Sequence, residues 1–377
     1  MKLLFIGSRL YDDINWYVKE KNIESILTES NEEAINLDLP DQVFIVPRGM
    51  EEPKQVALMQ NVDAIVPLIG IDPPLIDVAY MKEEIEKEYN IPVIAAGIRA
   101  VDLTSDKIKT KSFYDEINVV TPTYQILNDP EDLTLDFPVV LKQGHGQGGR
   151  DIKIANNISD VKEYFNDFDA ALCEKFIEGA EISIEVLSYN GEIIPLSPIY
   201  KGETTLEGTH PLNKVKNGPC QIEGLDNNLI QHVAYKIAKN LDSDGIFEMD
   251  FMYSRIDNQL YAIEVNTRPN GTRYLTAATC GINSLCELIN MAIGEFSIKN
   301  ILDKMEYNYA CEIPVGYFNG KSPKNPVKSF KHNDYVVHGP EAYQRITLKA
   351  KSKKNLENLI DELGCAEIGR ASCRERV

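Results

Sequence analysis

The chain has 377 residues, enough for two or three domains, and its 43% hydrophobic and 26% charged content is ordinary for a globular protein with a sizeable core. A formal charge of -19 repels nucleic-acid phosphate and anionic lipid, which sets aside nucleic-acid and membrane partners in favour of small molecules. No apolar run reaches the roughly 18 residues a membrane span needs, and MKLLFIGSRLYDD is too short an apolar start for a signal peptide, so the expectation is a cytoplasmic protein.

The first hundred residues alternate helical stretches with KLLFIG, ESILTES, DQVFIV, VDAIVPLIG and IPVIAAG, five strand candidates whose spacing predicts a parallel sheet covered by helices. FIGSRL offers a single glycine, so no dinucleotide fingerprint follows the first strand. A helix is expected through DKIKTKSFYDEI with Thr104 or Ser105 as N-cap. Next come the strand FPVVLKQ, the glycine loop GHGQGGR, the strand DIKIA and the helix SDVKEYFND, capped by Ser159. The strand ALCEKFI precedes a hairpin turning at Asn190-Gly191, a polar loop from Lys201 to Pro219 and the long helix DNNLIQHVAYKIAKNL. GIFEMDFMYSRIDNQLYAIEVN reads as another hairpin, SLCELINMAIG as a helix, and the remainder as a β-rich piece with one terminal helix. The seven cysteines form no CxxC pair, so buried thiols are expected rather than zinc or disulfides. From Cys365 onward, Arg370, Arg374 and Arg376 crowd a chain that otherwise prefers lysine, which suggests a cloning-derived tail.

LKQGHGQGG is followed by a strand rather than a helix, which removes the Rossmann reading. A glycine loop between two strands can be a plain hairpin, or a flap whose amides close over phosphates, with Lys142 at the end of the preceding strand as a partner cation.

In the second hairpin, Asp250 shares a face with Glu248 and Met252, while Glu264, Asn266 and Arg268 share one by period-two alternation. Tyr261, Ile263 and Val265 would then form the apolar face. Pairing the strands can bring Asp250 beside Glu264, and two adjacent carboxylates repel unless a cation lies between them. Mg²⁺ suits such oxygen ligands, and Arg268 could clamp a phosphoryl oxygen. The plain alternative is a solvated strand face with Glu264 paired to Arg268.

Taken in order, Asp106-Lys107 opening a helix, FPVVLKQGHGQGG, CEKFIEGAEISIEVL, EMDFM and AIEVNTRPNG resemble the ATP-grasp superfamily over Met1 to Gly364. These blocks are similar to those of the carbamoyl-phosphate synthetase large subunit and biotin carboxylase. Overall length, GINSLCELI and the short C-terminal piece look most like the pyrrolysine-biosynthesis ligase, which joins two amino acids. The resemblance implies an α/β (α+β) ATP-grasp fold. Its parts would be an N-terminal Rossmann-like pre-ATP-grasp domain (residues 1–103), a small lobe with the flap (104–180), a large lobe with the metal hairpin (181–305), a small C-terminal subdomain (306–364) and the tail (365–377).

Carried over by position, the resemblance assigns Lys107, Lys142 and the flap glycines Gly146, Gly148 and Gly149 to ATP phosphates. Glu174, Lys175, Phe176 and Ile177 would line the hinge at the adenine edge, Glu181 would hold the ribose, and Met252 and Ile263 would sandwich the adenine. Asp250, Glu264 and Asn266 would hold two Mg²⁺ ions, with Mn²⁺ as a substitute. Arg268, Lys142 and His210 would act on the transferring phosphoryl group. Some relatives carry Glu or Gln in place of Asp250, and threonine stands in NTRP where proline often does. Asp72 and Arg273 are candidates for substrate contact.

The implied reaction is ATP-dependent amide formation between a small carboxylate and an amine through an acyl phosphate, with amino-acid or peptide ligation as the leading expectation. Phosphorylation of bicarbonate or carbamate is the alternative, although a single ATP-grasp unit argues against a complete carbamoyl-phosphate synthetase. A nucleotide-binding protein without turnover is the third reading. A homodimer is compatible with all three.

Overall fold

The structure, a computed structural model, describes residues 1–146, 151–204, 206 and 214–365. Three sheets organise it. Near the N-terminus β1 (Lys2–Ile6), β2 (Glu24–Glu29), β3 (Gln42–Ile45) and β4 (Ala64–Pro67) form a parallel sheet in the order β3-β2-β1-β4. The fifth expected strand, IPVIAAG, contributes only a single bridge from Val93 to Ile65, because the chain bends at Ala95 and Gly97 already caps the helix Ile98–Ser105, which leaves it too short to extend the ladder.

A second sheet is antiparallel: β5 (Tyr124–Leu127), β6 (Val139–Lys142), β7 (Lys153–Ala155) and β8 (Ala171–Lys175), in the order β5-β8-β6-β7. The largest sheet takes β9 (Gly179–Tyr189), β10 (Glu192–Pro195), β11 (Ile199–Thr204), β12 (Lys216–Gly218), β13 (Gly245–Ser254), β14 (Gln259–Asn266), β15 (Tyr309–Gly316), β16 (Tyr335–His338) and β17 (Gln344–Ala350). Its order is β14-β13-β9-β11-β12-β15-β17-β16, with β10 on β9. The C-terminal strands thus continue the same sheet through β12.

Two helix starts differ from expectation. The helix Lys107–Glu116 is capped by Asp106, whose Oδ1 accepts from the amides of Ile108 (2.8 Å) and Lys109 (3.4 Å); Thr104 and Ser105 instead end the preceding helix Ile98–Ser105. In Ile158–Tyr164 the cap is Asn157, not Ser159. The expected polar loop from Lys201 to Pro219 also contains β-structure, the end of β11 and all of β12.

One face of β9, β13 and β14 packs on the helix Asn227–Leu241, which presents Ile230, Ala234, Ile237 and Leu241 at helical spacing. Each buried Ile or Leu there contributes about 1.5–3 kcal/mol. At one end of the opposite face, Leu187 and Ile246 meet Leu285 and Leu288 of the helix Ser284–Ala292, together with Leu3 and Phe5 of the N-terminal sheet. The rest of that face floors a cleft beneath the antiparallel lobe. The antiparallel lobe is entered through residues 117–123 and left through residues 176–178, immediately before Gly179. A Cβ on Gly179 would lie 2.1 Å from the Tyr253 carbonyl oxygen, so the start of β9 touches the backbone of β13 directly.

All six cysteines among the described residues are buried. Cys365 packs with Leu356 and Leu363, while residues 366–377 of the expected tail lie outside the described residues. No helix among the described residues is long and apolar enough to cross a membrane.

Candidate functional site

The cleft floor is a ladder of carboxylates. Across β13 and β14, Asp250 faces Glu264 and Glu248 faces Asn266; across β13 and β9, Asp250 faces Ser183, Glu248 faces Glu185 and Met252 faces Glu181. A bulge follows Asp250: Phe251 pairs with Ala262, leaving Ile263 as the extra residue. This corrects the expected apolar face of β14. Leu260, Ala262 and Val265 enter the core, whereas Tyr261 is placed on the cleft side opposite Met252 and Ile263 is half-buried.

Two lysines answer this charge from β11 and beyond. Lys201 Nζ lies 2.8 Å from Asp250 Oδ2, and Lys214 Nζ lies 2.7 Å from Glu181 Oε1, which also accepts from Thr204. Glu248 is fully buried. Its Oε1 accepts from Ser183 at 2.6 Å, and burial with Asp250 nearby raises its pKa well above the usual carboxylate range. Asp250 Oδ1 and Glu248 Oε2 are buried without partners. Among the described residues no three histidine, cysteine or carboxylate side chains converge as a ready metal site. Two facing carboxylates, one with an unpartnered buried oxygen, and the Asn266 amide nevertheless suit a hard cation whose shell is completed by phosphate oxygens.

The roof supplies cations. Lys107 opens its helix and donates from Nζ to the Gly146 carbonyl (2.7 Å); burial lowers its pKa and Glu264 opposes that shift. Lys142 Nζ lies 2.8 Å from Glu174 Oε2, and Lys111 Nζ lies 3.2 Å from Glu174 Oε1. Burial alone would raise the Glu174 pKa, but the two ammonium groups hold it below the ordinary value. Burial pushes Lys111 down to about 8. The Glu174 carboxylate is therefore committed to lysines, and its backbone lies within the ladder between Tyr124 and Val140. Lys175 is exposed, Phe176 buried and Ile177 half-buried. The amides of Lys175 and Phe176 donate to the carbonyls of Thr123 (2.8 Å) and Pro138 (3.1 Å). Gly148, Gly149 and His210 lie outside the described residues.

At the other end of the cleft Arg268 Nε pairs with Asp72, and its Nη2 is 3.4 Å from Asn266 Oδ1. Arg273, a candidate for substrate contact, instead holds Asp13 at 2.7 Å and 3.1 Å through Nη2 and Nε. A mostly apolar cavity opens beside Arg268 and Thr267, walled by Ile69, Leu75, Val78 and Leu288.

Sequence reasoning missed Lys111, Lys201, Lys214 and Glu248 as participants. Lys111 was findable, since it stands four residues after Lys107 and so on the same helix face. Lys201 carried no signal, because it reaches Asp250 from two strands away.

A family model described as an ATP-grasp domain matches residues 104–272. A carbamoyl-phosphate synthase of Methanobrevibacter smithii is 72% identical over 366 residues, covering 96% of this chain and 100% of that protein. The carbamoyl phosphate synthase large chain of Pseudothermotoga lettingae is 23% identical over 359 residues; the match covers 86% of this chain and 31% of that protein, so the chain spans about a third of the larger relative. Among solved structures, a biotin carboxylase–β,γ-ATP complex from Campylobacter jejuni superposes with a TM-score of 0.74 at 18% identity, covering 95% of this chain and 89% of the other. An L-amino acid ligase from Bacillus licheniformis gives 0.74 at 18% identity, with 96% of each chain covered. At these identities the structural likeness speaks for the fold.

Proposed function

Because the chain belongs to the ATP-grasp ligases, which form carbon–nitrogen bonds using ATP, we propose that it joins a small organic carboxylate, such as that of an amino acid, to an amine. The reaction runs through an acyl phosphate and releases ADP and phosphate. The observation that supports the substrate class is the Arg268 guanidinium at the end of the carboxylate ladder, Nη2 3.4 Å from Asn266 Oδ1, where a planar fork can pair with a small carboxylate; the cavity beside it, about 30 Å³, is water-sized.

A carboxylate is a poor electrophile at neutral pH, and phosphorylation supplies the leaving group. Protein side chains contribute position and charge. In this reading Lys107 and Lys142 neutralise the nucleotide phosphates, Glu181 accepts from the ribose, and Met252 and Ile263 flank the base. Arg268 stabilises the phosphoryl oxygens and then the tetrahedral intermediate, as a planar fork can. His210 and the flap residues Gly146, Gly148 and Gly149 would close on the phosphates and keep water from the acyl phosphate. Mg²⁺, held by Asp250, Glu264 and Asn266, would offset phosphate charge when bound. ATP-dependent ligation of small metabolites fits a cytoplasmic setting.

A second reading, phosphorylation of bicarbonate or carbamate, is favoured by the name of the 72% identical relative. ADP release measured against a panel of amino acids and against bicarbonate, with hydroxylamine to trap acyl phosphates, separates the two. Amino-acid-dependent turnover with a trapped hydroxamate supports ligation, bicarbonate dependence supports the alternative, and no turnover with either overturns both.

A further inference from the structure

Lys201 is the extra residue of a β-bulge. Tyr200 pairs with Ile182 and Gly202 with Glu181, so Lys201 has no ladder partner of its own on β9. Its side chain runs across β9 to Asp250 on β13, a span of about two strand spacings, or roughly 9–10 Å. The residue beneath that path is Ser183, which faces Asp250 and whose small side chain leaves room for the lysine stem. Both ends of the pair are largely withdrawn from solvent, with side-chain exposures of 16% and 15%.

The surrounding charges limit what else can enter. Glu181 is taken by Lys214 and Glu174 by Lys142 and Lys111. Glu248 lies beneath, fully buried and bonded to Ser183. Glu185, equally buried, accepts from Ser284 at 2.9 Å. Among the described residues the oxygens nearest an incoming cation are those of Glu264, which has Asn266 Nδ2 at 3.4 Å, the Asn266 oxygen, 3.4 Å from Arg268 Nη2, and Asp250 Oδ1, which is buried without a hydrogen-bond partner. One divalent ion can bridge these. A second, placed against Asp250 Oδ2, would abut the Lys201 ammonium 2.8 Å away, and among the described residues no further exposed carboxylate faces it there.

We propose that this site takes one divalent cation per bound nucleotide, and that the Lys201 ammonium stands as a fixed charge in place of a second. The inference rests on the nucleotide-site reading above. It refines the expected pair of Mg²⁺ ions to a single one and adds Lys201, through its pair with Asp250, to the charges of the site.

The test is to count ions. The full chain is equilibrated with Mn²⁺ and the non-hydrolysable analogue AMP-PNP. Bound Mn²⁺ per bound nucleotide is measured by ultrafiltration, and Mn²⁺–Mn²⁺ dipolar broadening by EPR. The expected ratio is one for the wild type, with an uncoupled spectrum, rising to two with a broadened spectrum in Lys201→Met. Two ions in the wild type overturn the proposal, and one in both proteins overturns the role of Lys201. Should Lys201→Met fail to fold, the wild-type count decides alone. A wild type that retains neither nucleotide nor ion overturns the nucleotide-site reading itself, a result distinct from the others.

Discussion

Asp250 and Glu264 are ladder partners on β13 and β14, so two carboxylates project side by side from one face of the sheet. Lys201 offsets Asp250 alone, so without a bound cation Glu264 still faces a like charge and the arrangement costs some stability. Replacing Glu264 by Gln should therefore leave the melting temperature unchanged or raise it by a few degrees, while lowering kcat by at least about 100-fold. Thermal unfolding and ADP release on the same preparation check both halves. Retained turnover would remove Glu264 from the cation site.

Arg268 spans Asp72 and Asn266 with separate nitrogens of one plane. Lysine keeps the charge and loses the fork, so Arg268→Lys should lower kcat by roughly 100-fold or more with little change in the KM for ATP. A variant impaired in ATP KM alone would place Arg268 in nucleotide binding instead.

Gly146 has φ of +126°, and an added Cβ would meet nothing within 4 Å. The cost of Gly146→Ala is thus backbone strain in the loop, on the order of 1–2 kcal/mol, rather than a clash. The loop can relax out of that strain in the free protein, changing global stability by less than about 0.5 kcal/mol, but must meet it when Lys107 and the Gly146 carbonyl are held together for ATP, so the KM for ATP should rise about tenfold. Steady-state kinetics and urea unfolding distinguish this from a merely structural turn, for which the two effects would be reversed.

Glu312 is fully buried, with Lys216 and Arg345 each at 2.9 Å and His338 at 3.5 Å. Burial would raise its pKa, but these neighbours outweigh burial and hold it down at about 2 instead of 4.5, while burial keeps His338 neutral at about 3. A carboxylate with a depressed folded-state pKa contributes stability that is fully present above about 4.5 and is lost as the pH falls towards 2. Glu312→Gln should cost on the order of 3 kcal/mol at pH 7, because Lys216 and Arg345 are left without their anion. The gap from wild type should narrow below pH 4.5. Urea unfolding from pH 7 to pH 3 measures it, and a gap independent of pH would assign the loss to packing.

The cleft was legible where period-two alternation holds. EMDFM and AIEVN identify the hairpin, and alternation alone places Asp250, Glu264 and Asn266 towards one side. It failed at Ile263, because a bulge adds one residue and reverses the parity of everything before it, which moved Tyr261 from the expected core to the cleft. Local signals also mislead when a stronger neighbour competes: Asp106 takes the cap position from Thr104 and Ser105 because its carboxylate accepts two amides at once. The ion pairs of Lys111 and Lys201 depend on which strands become neighbours. For Lys111 the helix spacing from Lys107 gives the side it faces but not its partner, and for Lys201 the information belongs to sheet order, which no window of sequence around it contains.

The contact at Gly179 has a mechanical consequence. With the first residue of β9 pressed against the Tyr253 carbonyl, the floor cannot pivot there without driving backbone into backbone. Any swing of the roof must use torsions in its two connecting segments, residues 117–123 and 176–178, outside that contact. The incoming segment is tied as well, since the Ala262 amide donates to the Val120 carbonyl at 2.8 Å and Thr121 Oγ1 to the Ala262 carbonyl at 2.8 Å, so rotation is confined to the few residues between these ties and the strands β5 and β8.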